Sequence, residues 1–349
     1  MEPVNVREYE ALARELLDPG AYGYFAGGAG DERTLRANIR AFRRWQLRPR
    51  VLVDVDVVST ETEVLGEQVS MPVLVGPTAL QRLAHVDAEP ATARAAAAAG
   101  TVFCVSTLSS VRPEELPREG RRWFQLYWSR DRDFTRELLA RVVDARFEAL
   151  VLTVDFPVAG RRERDVRTDF ALPDDLPLPN LPVPLRRRQF HAGLGEIVDA
   201  RLTWRDLEWL REACQLPLVV KGILSSEDAA LAAEHGAQSV IVSNHGGRQL
   251  DGAPASLEAL PEVVEAVGDR VEVLLDGGVR RGTDVLVALA LGAKAVLVGR
   301  PIVWGLAVGG VDGVAHVLEL LRAEVELGLK FLGCRSPAEV GAAHVRRAQ

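Results

Sequence analysis

Eight short apolar runs recur between residues 71 and 300, and their alternation with longer segments of helical period constrains the fold more than any other feature. The runs are MPVLVG (71–76), TVFCVS (101–106), WFQLY (123–127), ALVLTVD (149–155), PLVVKG (217–222), SVIVSN (239–244), VEVLLDGG (271–278) and AVLVGR (295–300). Helical segments lie between them, among them EPATARAAAAAG (89–100), DFTRELLARVVDA (133–145), SEDAALAAEHG (226–236) and TDVLVALALG (283–292). Several end on the glycine that favours a left-handed C-terminal cap. Repeated βα units build a parallel sheet. Eight in succession match a closed barrel better than an open doubly wound sheet, whose glycine-rich nucleotide fingerprint after the first strand is missing.

The expected architecture is α/β, a (β/α)8 TIM barrel in a single domain. Residues 1–70 form an N-terminal helical cap and lead-in, 71–300 the barrel and 301–349 closing helices. Segment 171–200 breaks the rhythm, being proline-rich and too long for an ordinary connection. An extended loop of this kind after the fourth strand is either a linker or an active-site lid. The run Arg186-Arg187-Arg188 within it reads as a solvated face.

Bulk properties narrow the function. A net charge of -7 and a pI near 5.6 argue against a nucleic-acid surface and favour a small-molecule partner. Three cysteines, Cys104, Cys214 and Cys334, lie far apart, so neither a disulfide framework nor a metal site is expected. The N-terminal residues mix charges through an amphipathic pattern, no apolar run approaches the length needed to cross a bilayer, and HVRRAQ at the C-terminus is no peroxisomal address. A cytoplasmic protein without membrane contact is the expectation.

In this fold chemistry gathers at the C-terminal ends of the strands. The runs end there on Thr78 and Ala79, Ser106, Gln125 and Tyr127, Thr153 and Asp155, Lys221, Ser243 with His245 and Arg248, Asp276 with Gly278 and Arg280, and Gly299 with Arg300. DGGVRRG and VGRP place glycines and arginines where barrels commonly bind phosphate, with backbone N–H groups and guanidinium forks as donors. The alternative for Asp276 is a structural pairing with an arginine. Neutral hydrogen-bonding groups on the first four strands suit the edge of a heteroaromatic ring, and Lys221 would stabilise an anionic reduced flavin, so the combination points to FMN. Arg248 and the pair Arg161-Arg162 can clamp a carboxylate, His245 can serve as general base, and Asp155 can orient it. His85, His191, His235, His316 and His344 lack such company and read as structural, as do Asn244 and Asp251.

These residues, with YFAGGAGDE, MPVLVGPTAL, FQLYW, LTVDFPVAGRRERD, VVKGI, VSNHGGRQLDG, LLDGGVRRGTD and VGRP, give a chain that resembles the FMN-dependent L-2-hydroxy-acid oxidases and dehydrogenases, the glycolate, lactate and hydroxymandelate oxidase group. The resemblance runs nearly end to end. It implies His245 as base, Asp155 as its partner, Arg162 and Arg248 on the substrate carboxylate, and Tyr24 and Tyr127 on carboxylate and hydroxyl. FMN contacts would fall to Thr78, Ala79, Ser106, Gln125, Thr153, Lys221, Ser243, Asp276, Gly278, Arg280, Gly299 and Arg300. The implied reaction takes two electrons and the α-hydrogen from a 2-hydroxy acid. His245 would accept either the carbon-bound proton or the hydroxyl proton.

Leu108 in STLSSV stands where glycolate oxidase has tryptophan, and with WFQLYW it looks like the hydroxymandelate branch, which accepts aryl substrates. Ala79 is compatible with O2 as the second oxidant. A quinone or protein acceptor, a decarboxylating monooxygenase and a flavin-binding barrel without turnover are the alternatives. The resemblance also implies a homo-oligomer, commonly a tetramer.

Overall fold

The computed structural model of the chain describes residues 3–185 and 190–348, so Arg186-Arg187-Arg188 lies outside the described residues. Eight parallel strands, Val73–Val75, Val102–Ser106, Arg121–Leu126, Ala149–Thr153, Leu218–Ile223, Ser239–Val242, Glu272–Asp276 and Ala295–Val298, close in sequence order into a barrel. The eighth pairs with the first through Val296↔Val73, Leu297↔Leu74 and Val298↔Val75. Every apolar run in the sequence is a barrel strand, with two shifts that matter. The third strand begins at Arg121, and the fourth ends at Thr153, which leaves Asp155 on the loop beyond it.

Strand pleating sorts the side chains. Alternate residues, among them Leu74, Cys104, Trp123, Val151, Ile241 and Leu297, fill the interior as one apolar cluster. Their neighbours Val75, Val105, Phe124, Leu152, Val242 and Val298 join the larger cluster that includes the surrounding helices. Val64 and Val69, on the hairpin Thr62–Val64/Glu67–Val69, join the interior cluster. Continuing the period of two toward the C-terminal ends puts Ser106, Gln125, Thr153, Lys221, Ser243 and Asp276 on the inward side. The same pleat that builds the dry interior thus delivers a ring of polar groups at its top.

Before the barrel, Val6–Leu16 is capped by Asn5, whose side chain accepts from the backbone N–H groups of Arg7 and Glu8. Pro19–Ala26 is capped by Asp18 with proline in the first turn, and Arg33–Phe42 follows. The segments flanking the barrel are not wholly helical: Trp45–Leu47 pairs antiparallel with Val345–Arg347, tying the chain ends together. The final helix Arg300–Leu332 corrects a second expectation, since by length and hydropathy it holds a stretch apolar enough to cross a membrane. That stretch is largely buried inside the fold, with Ile302, Val303, Trp304 and Val317 inaccessible, and the helix packs on Ala88–Ala98 and Val6–Leu16. It breaks at Gly309 and Gly310.

Candidate active site

A cleft, open at its mouth, lies over the C-terminal ends of the strands. Tyr24, Thr78, Ala79, Ser106, Gln125, Tyr127, Thr153, Arg162, Lys221, His245, Arg248, Asp276, Gly278, Arg280, Gly299 and Arg300 all line it. Two expected residues do not. Ser243 is fully buried below the floor, where its Oγ accepts from Lys221 Nζ at 2.9 Å and from the His245 backbone N–H at 3.0 Å. It therefore holds both the lysine and the histidine backbone at the base of the cleft. Asp155 stands behind His245.

The stretch after the sixth strand turns abruptly. His245, Gly246 and Gly247 all have left-handed backbone, with φ of 59°, 64° and 76°. A Cβ at Gly247 would fall 2.5 Å from the Leu35 backbone nitrogen, so only glycine fits there. A non-glycine residue in this region is strained, and the surroundings hold His245 in it. Asn244 caps the turn by accepting from Gly247 N–H and exchanges amide hydrogen bonds with Asn38, while Asp251 accepts from Thr34 N–H. The structural reading of Asn244 and Asp251 holds.

His245 Nδ1 lies 2.8 Å from Asp155 Oδ1, and Tyr127 Oη lies 3.2 Å from His245 Nε2. A carboxylate only accepts, so Nδ1 carries the proton and Nε2 presents its lone pair toward the cleft. Burial pushes the His245 pKa down, and Lys221 and Arg162 add to this against Asp155. Burial alone would raise Asp155, but His245 and Lys221 outweigh it and hold the carboxyl below its usual range. A neutral imidazole beside a fixed carboxylate is the arrangement of a general base.

Lys221 is buried and forms an ion pair with Asp276 at 3.1 Å, which decides the partner of that aspartate: a lysine, not an arginine. Burial disfavours its charge, yet Asp276 and Asp155 more than compensate and raise its pKa.

Arg162, Arg248, Arg280 and Arg300 also face the cleft, and among the described residues none of the four is in an ion pair. Burial, reinforced by Arg248, pushes Arg162 down to about 10. Arg300 is lowered too, by burial first and then by Arg248 and Arg280. Arg162 and Arg280 are buried and Arg248 and Arg300 half-buried, and guanidinium groups gathered without carboxylate partners are stabilised by anions.

YFAGGAGDE supplies carbonyls to this cluster. Arg248 Nη1 donates to Tyr24 O and Gly27 O, and Arg300 donates to Phe25 O, Gly27 O and Gly246 O. Glu32 bonds Gly28 N–H and pairs with Arg164. Both arginines are thereby oriented with donors to spare.

Sequence reasoning missed three contributors. Gln249 Nε2 donates to Asp155 O and Val158 O while its Oε1 accepts from Gly160 N–H, pinning the loop that carries Asp155 and Arg162. An apolar wall of Phe156, Phe190 and Leu194 joins Leu108 and Ala79. Phe190 and Leu194 belong to helix Phe190–Ile197 in the 171–200 segment, which therefore covers the cleft and is not a linker. His191, on the same helix, contacts Arg162 and Asp165, against the expectation that it lacked company. QLDG offered Gln249 to the sequence reading, whereas nothing local marked His191 or Phe190.

The family model described as FMN-dependent dehydrogenase matches residues 13–347. The chain belongs to the FMN-dependent dehydrogenase family. An L-lactate oxidase of Nostoc sp. is 51% identical over 346 residues, covering 95% of each chain. The glycolate oxidase of Spinacia oleracea is 46% identical over 99% of this chain and 96% of its own. A solved mandelate oxidase with (S)-4-hydroxymandelic acid superposes with a TM-score of 0.95 at 43% identity over 99% of both chains.

The cleft fits the cofactor that defines this family. The Gln125 amide oxygen accepts from Ser106 Oγ at 3.1 Å and Thr107 N–H at 3.3 Å, so its Nε2 is turned the other way, buried and without an acceptor among the described residues. The ring edge of FMN offers acceptors for such a donor. Gly277 and Gly278 have φ of 94° and 88°, and a Cβ at Gly278 would meet Asn38 O at 2.3 Å. With Arg280, and with Gly299 and Arg300 at the start of helix Arg300–Leu332, they form a glycine and arginine cradle of phosphate-binding kind.

Proposed function

We propose that this member of the FMN-dependent dehydrogenase family oxidises an L-2-hydroxy acid with an apolar side chain to the 2-oxo acid, with O2 returning the cofactor to its oxidised state as hydrogen peroxide forms. The observation that carries the reading is His245, backed by Asp155 at 2.8 Å, sharing one cleft with the unpaired Arg162 and Arg248. Bound FMN supplies the two-electron acceptor.

The remaining work falls to side chains. Arg162 and Arg248, whose guanidinium carbons lie 6.0 Å and 4.8 Å from the Tyr24 ring centre, hold the substrate carboxylate. Tyr24 borders the same anion site, and Tyr127, bonded to His245, contacts the substrate hydroxyl. His245 Nε2 takes a proton from the substrate, and Asp155 stabilises the imidazolium that results. The cofactor's contacts fall to Thr78, Ala79, Ser106, Gln125, Thr153, Lys221, Asp276, Gly278, Arg280, Gly299 and Arg300, with Ser243 acting through Lys221.

The wall of Ala79, Leu108, Phe156, Phe190 and Leu194 supports an aryl or branched aliphatic substituent over glycolate. The relatives, oxidases of lactate, glycolate and mandelate, support the reaction class and the oxygen acceptor. Val51, Leu52 and Val57 are exposed on the segment whose Arg50 N–H bonds the carbonyl of exposed Phe331, and these exposed apolar side chains support a homo-oligomer.

The test is anaerobic mixing of the FMN-loaded protein with glycolate, L-lactate and L-mandelate, followed by oxygen and measurement of hydrogen peroxide per 2-oxo acid. Bleaching fastest with mandelate and a ratio near one are expected. No bleaching by any 2-hydroxy acid removes the proposal, and bleaching without peroxide transfers the second half to another acceptor.

A further inference from the structure

Helix Phe190–Ile197 brings more than an apolar wall. Its His191 lies with Nδ1 3.3 Å from Arg162 Nη1 and Nε2 2.8 Å from Asp165 Oδ2. A guanidinium only donates and a carboxylate only accepts, so a neutral imidazole satisfies both neighbours in a single tautomer: Nδ1 accepts from Arg162, and Nε2–H donates to Asp165. Burial lowers the His191 pKa, and the nearby Arg162 and Arg248 lower it further against Asp165, which favours this neutral form.

The order of the three groups has a consequence for charge. Asp165 is 5% exposed and sits one helical turn from Arg162, on Glu163–Arg167. A carboxylate bound directly to Arg162 would neutralise it and compete with an anionic ligand. The interposed imidazole passes the orienting effect of Asp165 to the guanidinium while leaving its charge uncancelled by direct contact. Only one of the five guanidinium N–H donors is used in this way. Phe190, the neighbouring residue, packs edge-on to Tyr24 with ring centres 6.2 Å apart, so the covering helix contacts both Tyr24 and Arg162.

We propose that His191 is a positioning residue for Arg162: held by Asp165, it sets the guanidinium for the substrate carboxylate and so couples the helix that covers the cleft to recognition of substrate charge. This rests on the reading of Arg162 as a carboxylate ligand. The substrate's charge is therefore recognised in part through a residue that never touches it.

The experiment uses the FMN-loaded enzyme and its anaerobic reduction by L-mandelate and by the primary amide of L-mandelate, which keeps the ring and hydroxyl but has no negative charge. In His191→Phe the apparent Kd for the acid is expected to rise about tenfold, the loss of one hydrogen bond to a charged group, while that for the amide shifts less than about twofold. His191→Gln, whose amide oxygen can accept from Arg162 and whose amide nitrogen can donate to Asp165, should recover most of the preference for acid. Asp165→Leu removes the acceptor at the far end of the relay and reads the same ratio should His191→Phe fail to fold. Arg162→Met is run alongside. Equal losses for acid and amide in His191→Phe, or no loss while Arg162→Met abolishes the acid preference, overturn the proposal alone. An Arg162→Met enzyme that keeps the wild-type preference overturns the reading of Arg162 and this inference with it.

Discussion

Asp155→Asn isolates the contribution of one charge to the proton transfer. Asp155 is held by its backbone, since Gln249 Nε2 donates to Asp155 O at 2.7 Å, so asparagine can occupy the same place. What is lost is the carboxylate 2.8 Å from His245 Nδ1, in surroundings buried from water. A hydrogen bond to a charged group contributes about 1.5–3 kcal/mol. The Coulomb attraction of an imidazolium to a carboxylate about 4 Å away is roughly 4 kcal/mol at an effective dielectric constant of about 20. These describe largely the same interaction, so the loss is about 3 kcal/mol in the protonated state, roughly a hundredfold in rate.

Arg162 and Arg248 are untouched, so the fall belongs in the limiting rate of flavin reduction and not in the substrate concentration that half-saturates it. The assay is anaerobic stopped-flow reduction of the FMN-loaded variant at saturating L-mandelate. A limiting rate within about threefold of wild type would refute the reasoning, because no imidazolium stabilised by Asp155 would then form in the rate-determining step.

Three further outcomes follow from the geometry. The His245 pKa is depressed by burial foremost, and the base must be neutral, so the reduction rate should be lost as pH falls through a value below the ordinary 6.5 and stay flat through neutrality; an acid limb centred above pH 7 in the limiting rate contradicts this. Gly278→Ala forces a Cβ 2.3 Å from Asn38 O at a φ of 88°, and a loss of about 2 kcal/mol or more with weaker FMN retention is expected in thermal melts with and without cofactor; an unchanged Tm and FMN content speak against the cradle. Leu108→Trp fills the apolar side of the cleft, so the ratio of kcat/KM for L-mandelate over glycolate should fall by about tenfold or more, and an unchanged ratio places the substrate's side chain elsewhere.

The architecture and much of the site were legible in the sequence because both depend on short-range periodicity. Each apolar run alternates sides within a few residues, so the residues ending the runs, from Ser106 to Asp276, follow their neighbours to the inward face wherever the strand lies. The Arg280 and Arg300 cradle was visible for the same reason, as glycines and arginines directly after the last two strands. Only closure of the barrel and the paths of its loops decided the rest. Asp155 meets His245 across 90 positions, Arg248 finds the Tyr24 carbonyl across 224, and His191 reaches Arg162 across 29. The same register that brought Lys221 to the floor of the cleft placed Ser243 against it, where its Oγ accepts from the lysine. Local pattern determines which way a side chain leaves its strand, whereas the group it meets there is chosen by packing between segments that no local pattern relates.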